Sequence, residues 1–282
     1  MKTFDKESLK GTGYVLLSAI FFSLGGLLIK LIPWSSVTIQ GARSIFSSLV
    51  IGGYMLLTGR KLVLNRSVLF GAVCNMVMAF TFVAATKLTT AANAIVLQFT
   101  EPIFVILLVW MIYKKKPSKE AIITCIMVFA GILCFFFESL SVGGMLGNLL
   151  AIASGCAYAV VFLMKKFPGA DFESSILLSN IFSMLIGIPS YIREANHSTM
   201  LWGYVLLLGA VQCGLSYVFL SKGLDRVSPI TASLTSTIEP ILNPLLVAAF
   251  YGEHVGKMAI LGALLVVGSA TIYNIIEAKT GA

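Results

Sequence analysis

Two acidic residues in apolar surroundings carry the chemistry available to this sequence. Glu101 and Glu239 each stand near the middle of a long apolar run, and each is followed by proline. The two Glu-Pro pairs lie 138 positions apart, close to half of the 282-residue chain. A carboxylate at the centre of an apolar span costs about 2.5–3.5 kcal/mol to insert. A proline beside it removes a helix hydrogen bond. Acids placed this way bind polar groups of a solute, exchange protons, or pin helices together as hydrogen-bonded neutral groups, and the residues alone leave all three open.

Each residue of a helix turns about 100°. On that count Thr231, Thr235, Ser236 and Asn243 share one helical face with Glu239, and Asn93 and Gln98 share one with Glu101. Pro102 and Pro240 leave the carbonyls of Gln98 and Ser236 without their usual partners. Arg43 is the one cation well inside an apolar run. Its planar guanidinium suits a carboxylate-like partner, and helix anchoring is the alternative. Tyr158 and Gln212 add polarity to other apolar runs. These eleven residues form the candidate substrate-binding set.

The elements that must position them are apolar segments of about 20 residues, the length that crosses a bilayer. Such segments are expected at 12–32, 36–57, 68–86, 91–113 and 119–137. After a Ser/Gly-rich joint at 139–144 they continue at 147–164, 174–192, 200–221, 229–251 and 257–276. The expected fold is all-α integral membrane, with ten transmembrane helices. The first segment is too long for a signal-peptide core and lacks a small-x-small cleavage site, so it is read as a retained span.

Composition agrees. The chain is 58% hydrophobic and 11% charged, and a soluble domain of this length could not bury so much apolar surface. The net charge of +8 does not point to nucleic acid, because the basic residues lie between apolar runs and form no stripe. They do set an orientation. With both termini cytoplasmic, 15 of the 20 Lys and Arg residues fall on the inner side and four on the outer, as the positive-inside rule expects. The five cysteines show neither CxxC nor Cys/His spacing and read as buried thiols. No P-loop, GxSxG or metal-binding pattern appears, so neither a cofactor nor an enzyme is expected. Gly25-Gly26, Gly52-Gly53 and Gly262 with Gly268 suit close helix packing. Trp34, Trp110 and Trp202 read as interface anchors.

The chain also repeats itself. Residues 91–102 align with 229–240 around the Glu-Pro pairs. The unit is five spans, and five is odd, so the second copy enters the membrane from the opposite side. Two inverted five-helix repeats are expected, at 1–138 and 139–282, an arrangement found in secondary transporters.

These features resemble the EamA-like transporters of the drug/metabolite transporter superfamily. The motifs that match are Gly41-Ala-Arg43, Thr89-Thr-Ala-Ala-Asn93 leading to Glu101-Pro102, Ile238-Glu-Pro240 followed by Phe250-Tyr-Gly-Glu253, and the closing Gly262-Ala-Leu-Leu-Val-Val-Gly268. One departure is Lys114-Lys-Lys-Pro117, where the first repeat of the family usually has an acidic Gly-Glu element. The resemblance implies a cavity between two halves, alternating access, and transport of small metabolites, often amino acids or related compounds. The function expected is secondary active transport of a small polar or amphipathic metabolite across the cytoplasmic membrane, with a small-molecule substrate and the lipid bilayer as partners. Proton coupling through the glutamates is a finer expectation. A membrane scaffold or sensor that binds a small molecule without moving it is the alternative.

Overall fold

The computed structural model describes residues 6–89, 91–114, 116–137, 144–194, 197–242 and 257–280. Among them it is all-α, with no strand. The helices are α1 (Lys6–Phe22), α2 (Gly25–Leu31), α3 (Ser36–Leu57), α4 (Arg66–Leu88), α5 (Ala91–Gln98), α6 (Glu101–Tyr113) and α7 (Lys119–Phe136). They continue as α8 (Met145–Leu163), α9 (Phe172–Tyr191), α10 (Thr199–Leu206), α11 (Ser216–Leu224), α12 (Pro229–Ser236) and α13 (Lys257–Thr280). Seven of the described helical stretches are long and apolar enough to cross a membrane: Lys6–Leu31, Arg66–Leu88, Asn93–Tyr113, Met145–Lys166, Phe172–Tyr191, Thr199–Leu224 and Lys257–Glu277. A helix also stands over each other expected segment, and that at 229–251 is described only as far as Leu242. Asn243, Phe250–Glu253 and most of the 139–144 joint lie outside the described residues.

Local chemistry sets the helix starts. Ser35, Asn65, Ser118, Asp171 and Ser228 each sit just before a helix, and each side chain accepts a hydrogen bond from the backbone N–H three residues on. Such caps satisfy one of the orphan donors of the first turn. Pro229 follows Ser228 at the first helical position, where its missing N–H costs nothing. At the other end of α6, Lys114 closes the helix with φ 55° and ψ 13°, a left-handed conformation.

Six helix pairs frame the bundle. α3 lies along α9, α4 along α8, α7 along α13, α1 along α11, and α12 against both α1 and α6. The α3–α9 crossing is closest at Gly41 and Gly187, whose backbones touch. Gly41 therefore does the packing expected of Gly52-Gly53. A Cβ at Gly53 would meet nothing within 4 Å, because that face of α3 has no neighbour there. Gly268 likewise faces open space.

Loops on the same end of the bundle are tied together. Asn65 Nδ2 donates to the Gly169 carbonyl (2.6 Å), Ser67 Oγ to that of Pro168 (2.7 Å), and Arg60 pairs with Glu173 (2.7 Å). At the opposite end the Ser35 N–H donates to Glu194 (2.9 Å), and Lys87 Nζ donates to the Ile32 carbonyl (2.7 Å). Trp34 is not an interface anchor. It is 2% exposed and packs edge-on against Tyr191 and Trp202. Trp110, by contrast, is half exposed.

Candidate functional site

The site is built where helices break. α1 gives way to α2 at Ser23-Leu24, α5 to α6 at Phe99-Thr100, and α12 ends at Ser236 with a turn at Thr237-Ile238 before helix resumes at Glu239. Residues 207–215, between α10 and α11, form a π-helix. Non-helical backbone at membrane depth is tolerated where protein or a wet cavity takes up its polar groups, and π segments cluster at functional sites. The breaks at 99–100 and 237–238 place Glu101 and Glu239 alike, each in the first turn of a half-helix.

Glu101 is fully buried (0% exposed). Its Oε2 accepts a 2.7 Å hydrogen bond from Ser233 Oγ on α12, and its Oε1 has no partner among the described residues. Glu239 is half-buried, and its Oε2 is shielded from solvent with no hydrogen-bond partner among the described residues. Each carboxylate lies within electrostatic reach of the other and of Tyr158. Gly155 on α8 admits the broken chain: a Cβ there would stand 2.5 Å from the Gln98 carbonyl oxygen.

A polar network lies within electrostatic reach of Glu239. The Tyr217 hydroxyl donates to Asn75 Oδ1 (2.8 Å), and Asn75 Nδ2 donates to Ser179 Oγ (2.8 Å), joining α11, α4 and α9. Phe22 meets Tyr217 edge-on at 5.2 Å, beside the break between α1 and α2. Arg43 is 5% exposed. Its Nε donates to Gln40 Oε1 (2.7 Å), and among the described residues no carboxylate pairs with it. Arg43 and Glu239 both lie within electrostatic reach of Tyr217 and Cys213. Arg43 and Glu239 form no ion pair with each other among the described residues, and both act electrostatically on the same tyrosine and thiol.

Other candidates are placed elsewhere. Gln98 Nε2 donates to Ser154 Oγ (2.8 Å) in the seam between α5 and α8. Asn93 bonds Thr89 and Asn148, two turns away from Glu101 at the far end of α5. Thr235 is paired with Asn274, and Thr231 with Ser228, so both side chains turn to α13 and the α12 cap. Ser236 is buried. The turn at Thr237-Ile238 breaks the regular 100° count, so Thr231 and Thr235 do not share the environment of Glu239. Gln212, in the π-helix, donates to the Phe22 carbonyl (3.3 Å) and fills the space beside Gly25, where a Cβ would stand 2.9 Å from its Nε2. Ser233 was not among the sequence candidates. Face counting within one helix is blind to it, since it serves the glutamate of another helix.

The comparisons with known proteins bear on the whole chain. The model of the EamA-like transporter family matches twice, over residues 9–137 and 145–275. The chain belongs to the EamA-like transporter family. An uncharacterized transporter of Archaeoglobus fulgidus is 22% identical over 93% of this chain and 95% of its own length. The uncharacterized transporter YwfM of Bacillus subtilis is 27% identical over 92% of each. A solved structure described only as a crystal structure of a protein superposes with a TM-score of 0.79 at 18% identity, covering 97% of this chain and all of the other, and it shows a shared fold. Family and relatives together make this member a multi-pass membrane transporter that takes a small-molecule substrate. Among the described residues no group of three or more His, Cys, Asp or Glu side chains gathers to hold a metal.

Proposed function

We propose that this EamA-like protein is a secondary active transporter that carries a small polar or amphipathic metabolite, amino-acid-like or related, across the cytoplasmic membrane by alternating access. The observation that carries this reading is Arg43 and Glu239, residues of opposite formal charge that form no ion pair among the described residues and both lie within electrostatic reach of Tyr217 and Cys213. Leaving either charge buried without a partner is costly. A zwitterionic or dipolar solute placed between them would supply both partners at once. The remaining site candidates, Tyr158, Gln98, Gln212 and Ser236, would line or brace the path rather than hold the charged groups.

The ten-span reading with two inverted repeats, 1–138 and 139–282, is supported by packing symmetry. Numbering the expected spans one to ten, the pairs 2–7, 4–9 and 5–10 map onto themselves when each span is exchanged for the one five places away. The pairs 3–6 and 1–8 exchange with each other, and so do 4–6 and 1–9. The two broken spans carry their Glu-Pro pairs at equivalent places, and the family model matches each half. Termini on the cytoplasmic side follow from the positive-inside bias.

The alternative, a scaffold or sensor that binds without moving solute, draws support from the Ser233–Glu101 bond, which pins α6 to α12. Counterflow in proteoliposomes decides between them. Unlabelled amino acids inside should drive uptake of the labelled species, with Glu239→Gln and Arg43→Gln lowering it. Binding that persists while counterflow is absent would establish the scaffold. Proton coupling through the glutamates requires pH-driven flux that is lost in the Glu101→Gln, Glu239→Gln double variant.

A further inference from the structure

A cavity of about 590 Å³ lies apart from the two glutamates, between the C-terminal ends of α6 and α13 and the N-terminal ends of α7 and α12. That volume is within the range of sites for small molecules, about 300–1,000 Å³. Its floor, Ala121, Ile230 and Tyr273, belongs to a buried apolar cluster whose far side includes Cys125, a neighbour of Glu101. The cavity is thus walled off from the central charges by hydrocarbon.

Its rim carries both signs of charge. Glu120 and Glu277 stand on α7 and α13, and Lys116 and Lys166 on the adjoining loops. One rim carboxylate is held by a hydrogen bond, Ser228 Oγ donating to Glu277 Oε1 (3.1 Å), and the Tyr113 hydroxyl fixes the backbone at Lys166 by donating to its carbonyl (3.0 Å). On the same last turns of α6, Trp110 and Tyr113 are 48% and 41% exposed. Such rings mark the depth at which head groups meet hydrocarbon.

We propose that this cavity seats one zwitterionic phospholipid whose head group carries a primary ammonium. The phosphate would face Lys116 and Lys166, the ammonium would face Glu120 and Glu277, and the glycerol backbone with the upper acyl chain would lie on the apolar floor. Charge complementarity chooses this occupant. A purely anionic head group meets two carboxylates without a compensating cation, and a quaternary ammonium has no N–H to donate to Glu277. The proposal rests on the membrane setting and not on the transport reading.

Native mass spectrometry of the delipidated full chain, with added phosphatidylethanolamine, phosphatidylglycerol or phosphatidylcholine, tests it. Phosphatidylethanolamine adducts should exceed those of the other two lipids. Lys166→Gln and Glu277→Gln should each weaken them about fivefold, the effect of one head-group charge. Lys116→Gln, at an exposed position, gives the same readout if Glu277→Gln does not fold. Glu101→Gln should leave the adducts unchanged. Equal binding of phosphatidylglycerol, or rim variants that bind as well as the parent, would overturn the proposal. So would displacement of the lipid by soluble phosphoethanolamine at equal concentration, since that would make the cavity a site for a free solute.

Discussion

Ser233 and Glu101 join two broken helices from opposite halves of the chain through one hydrogen bond of 2.7 Å. The bond is wholly buried, and the second carboxylate oxygen has no partner among the described residues. Removing the hydroxyl would leave both oxygens bare. Ser233→Ala should therefore lower stability by about 1–3 kcal/mol, the cost of an unsatisfied buried group. Glu101→Gln keeps an acceptor for Ser233 and should cost less. Thermal unfolding of the three proteins in the same detergent checks the order, and a Ser233→Ala protein as stable as the parent would remove this bond from the account.

The two glutamates should differ in function, because their surroundings differ. Glu101 already has a donor, whereas the shielded oxygen of Glu239 has none among the described residues. In the proposed site Glu239 and Arg43 hold the charged groups of the solute. Each charge-assisted hydrogen bond is worth about 1.5–3 kcal/mol, so Glu239→Gln and Arg43→Gln should each weaken solute binding about tenfold or more. Glu101→Gln should weaken it less. Titration of the transported compound by calorimetry, once counterflow has identified it, separates the three.

Much of this fold is legible in hydropathy, because a bilayer punishes any segment that cannot satisfy its own backbone. Seven of the expected spans and the buried state of Arg43 followed from that constraint. Three features did not. The π-helix at 207–215 leaves no residue-type signature in Leu207–Leu215. The break at Ser23-Leu24 has no proline to announce it. The partnership of Ser233 with Glu101 depends on which helix lies opposite, a relation of tertiary packing that periodicity within one helix does not encode. The same limit explains Thr231 and Thr235, assigned to the Glu239 face by a count that assumed an unbroken helix.

Acid should loosen the end of the bundle at which Ser35 and Glu194 meet. Burial raises the proton affinity of Glu194, but hydrogen bonds from Thr38 and Ser35, with His197 nearby, outweigh it, so its pKa falls below the usual 4.5. A carboxylate with a lowered folded-state pKa adds stability above its unfolded pKa and loses it as pH falls through the folded value. The difference in melting temperature between the parent and Glu194→Gln should be present at neutral pH and fade as pH falls below 4.5 through the folded-state value. A difference that persists in acid would assign the effect to shape rather than charge.

Two glycines form an internal comparison. A Cβ at Gly155 would press on the Gln98 carbonyl at 2.5 Å and on Thr100 Oγ1 at 3.3 Å, both at the break that presents Glu101. Gly155→Ala should cost about 1–3 kcal/mol through overpacking and should reduce flux as well, since it displaces that turn. Gly53 has open space around it, so Gly53→Ala should stabilise by about 0.5–1 kcal/mol through backbone entropy. Unfolding curves that rank the two alike would mean that the α8 approach to Gln98 is less tight than its geometry indicates.

Lys114 should prefer to be glycine. It ends α6 with φ 55°, the sole non-glycine residue with positive φ among the described residues, where a side chain crowds the following carbonyl at a cost of about 1–2 kcal/mol. Glycine is the usual residue at such a helix end, so Lys114→Gly should raise stability by about 1 kcal/mol. Removing a positive charge there is a second change, and Lys114→Ala separates the two. Alanine removes the charge but keeps the Cβ, so it should give no gain if backbone conformation is the cause. Asparagine, which tolerates the left-handed region, should fall between them. If alanine matches glycine in thermal unfolding, the gain comes from relieving repulsion with Lys116 and its neighbours, and the left-handed turn carries no strain.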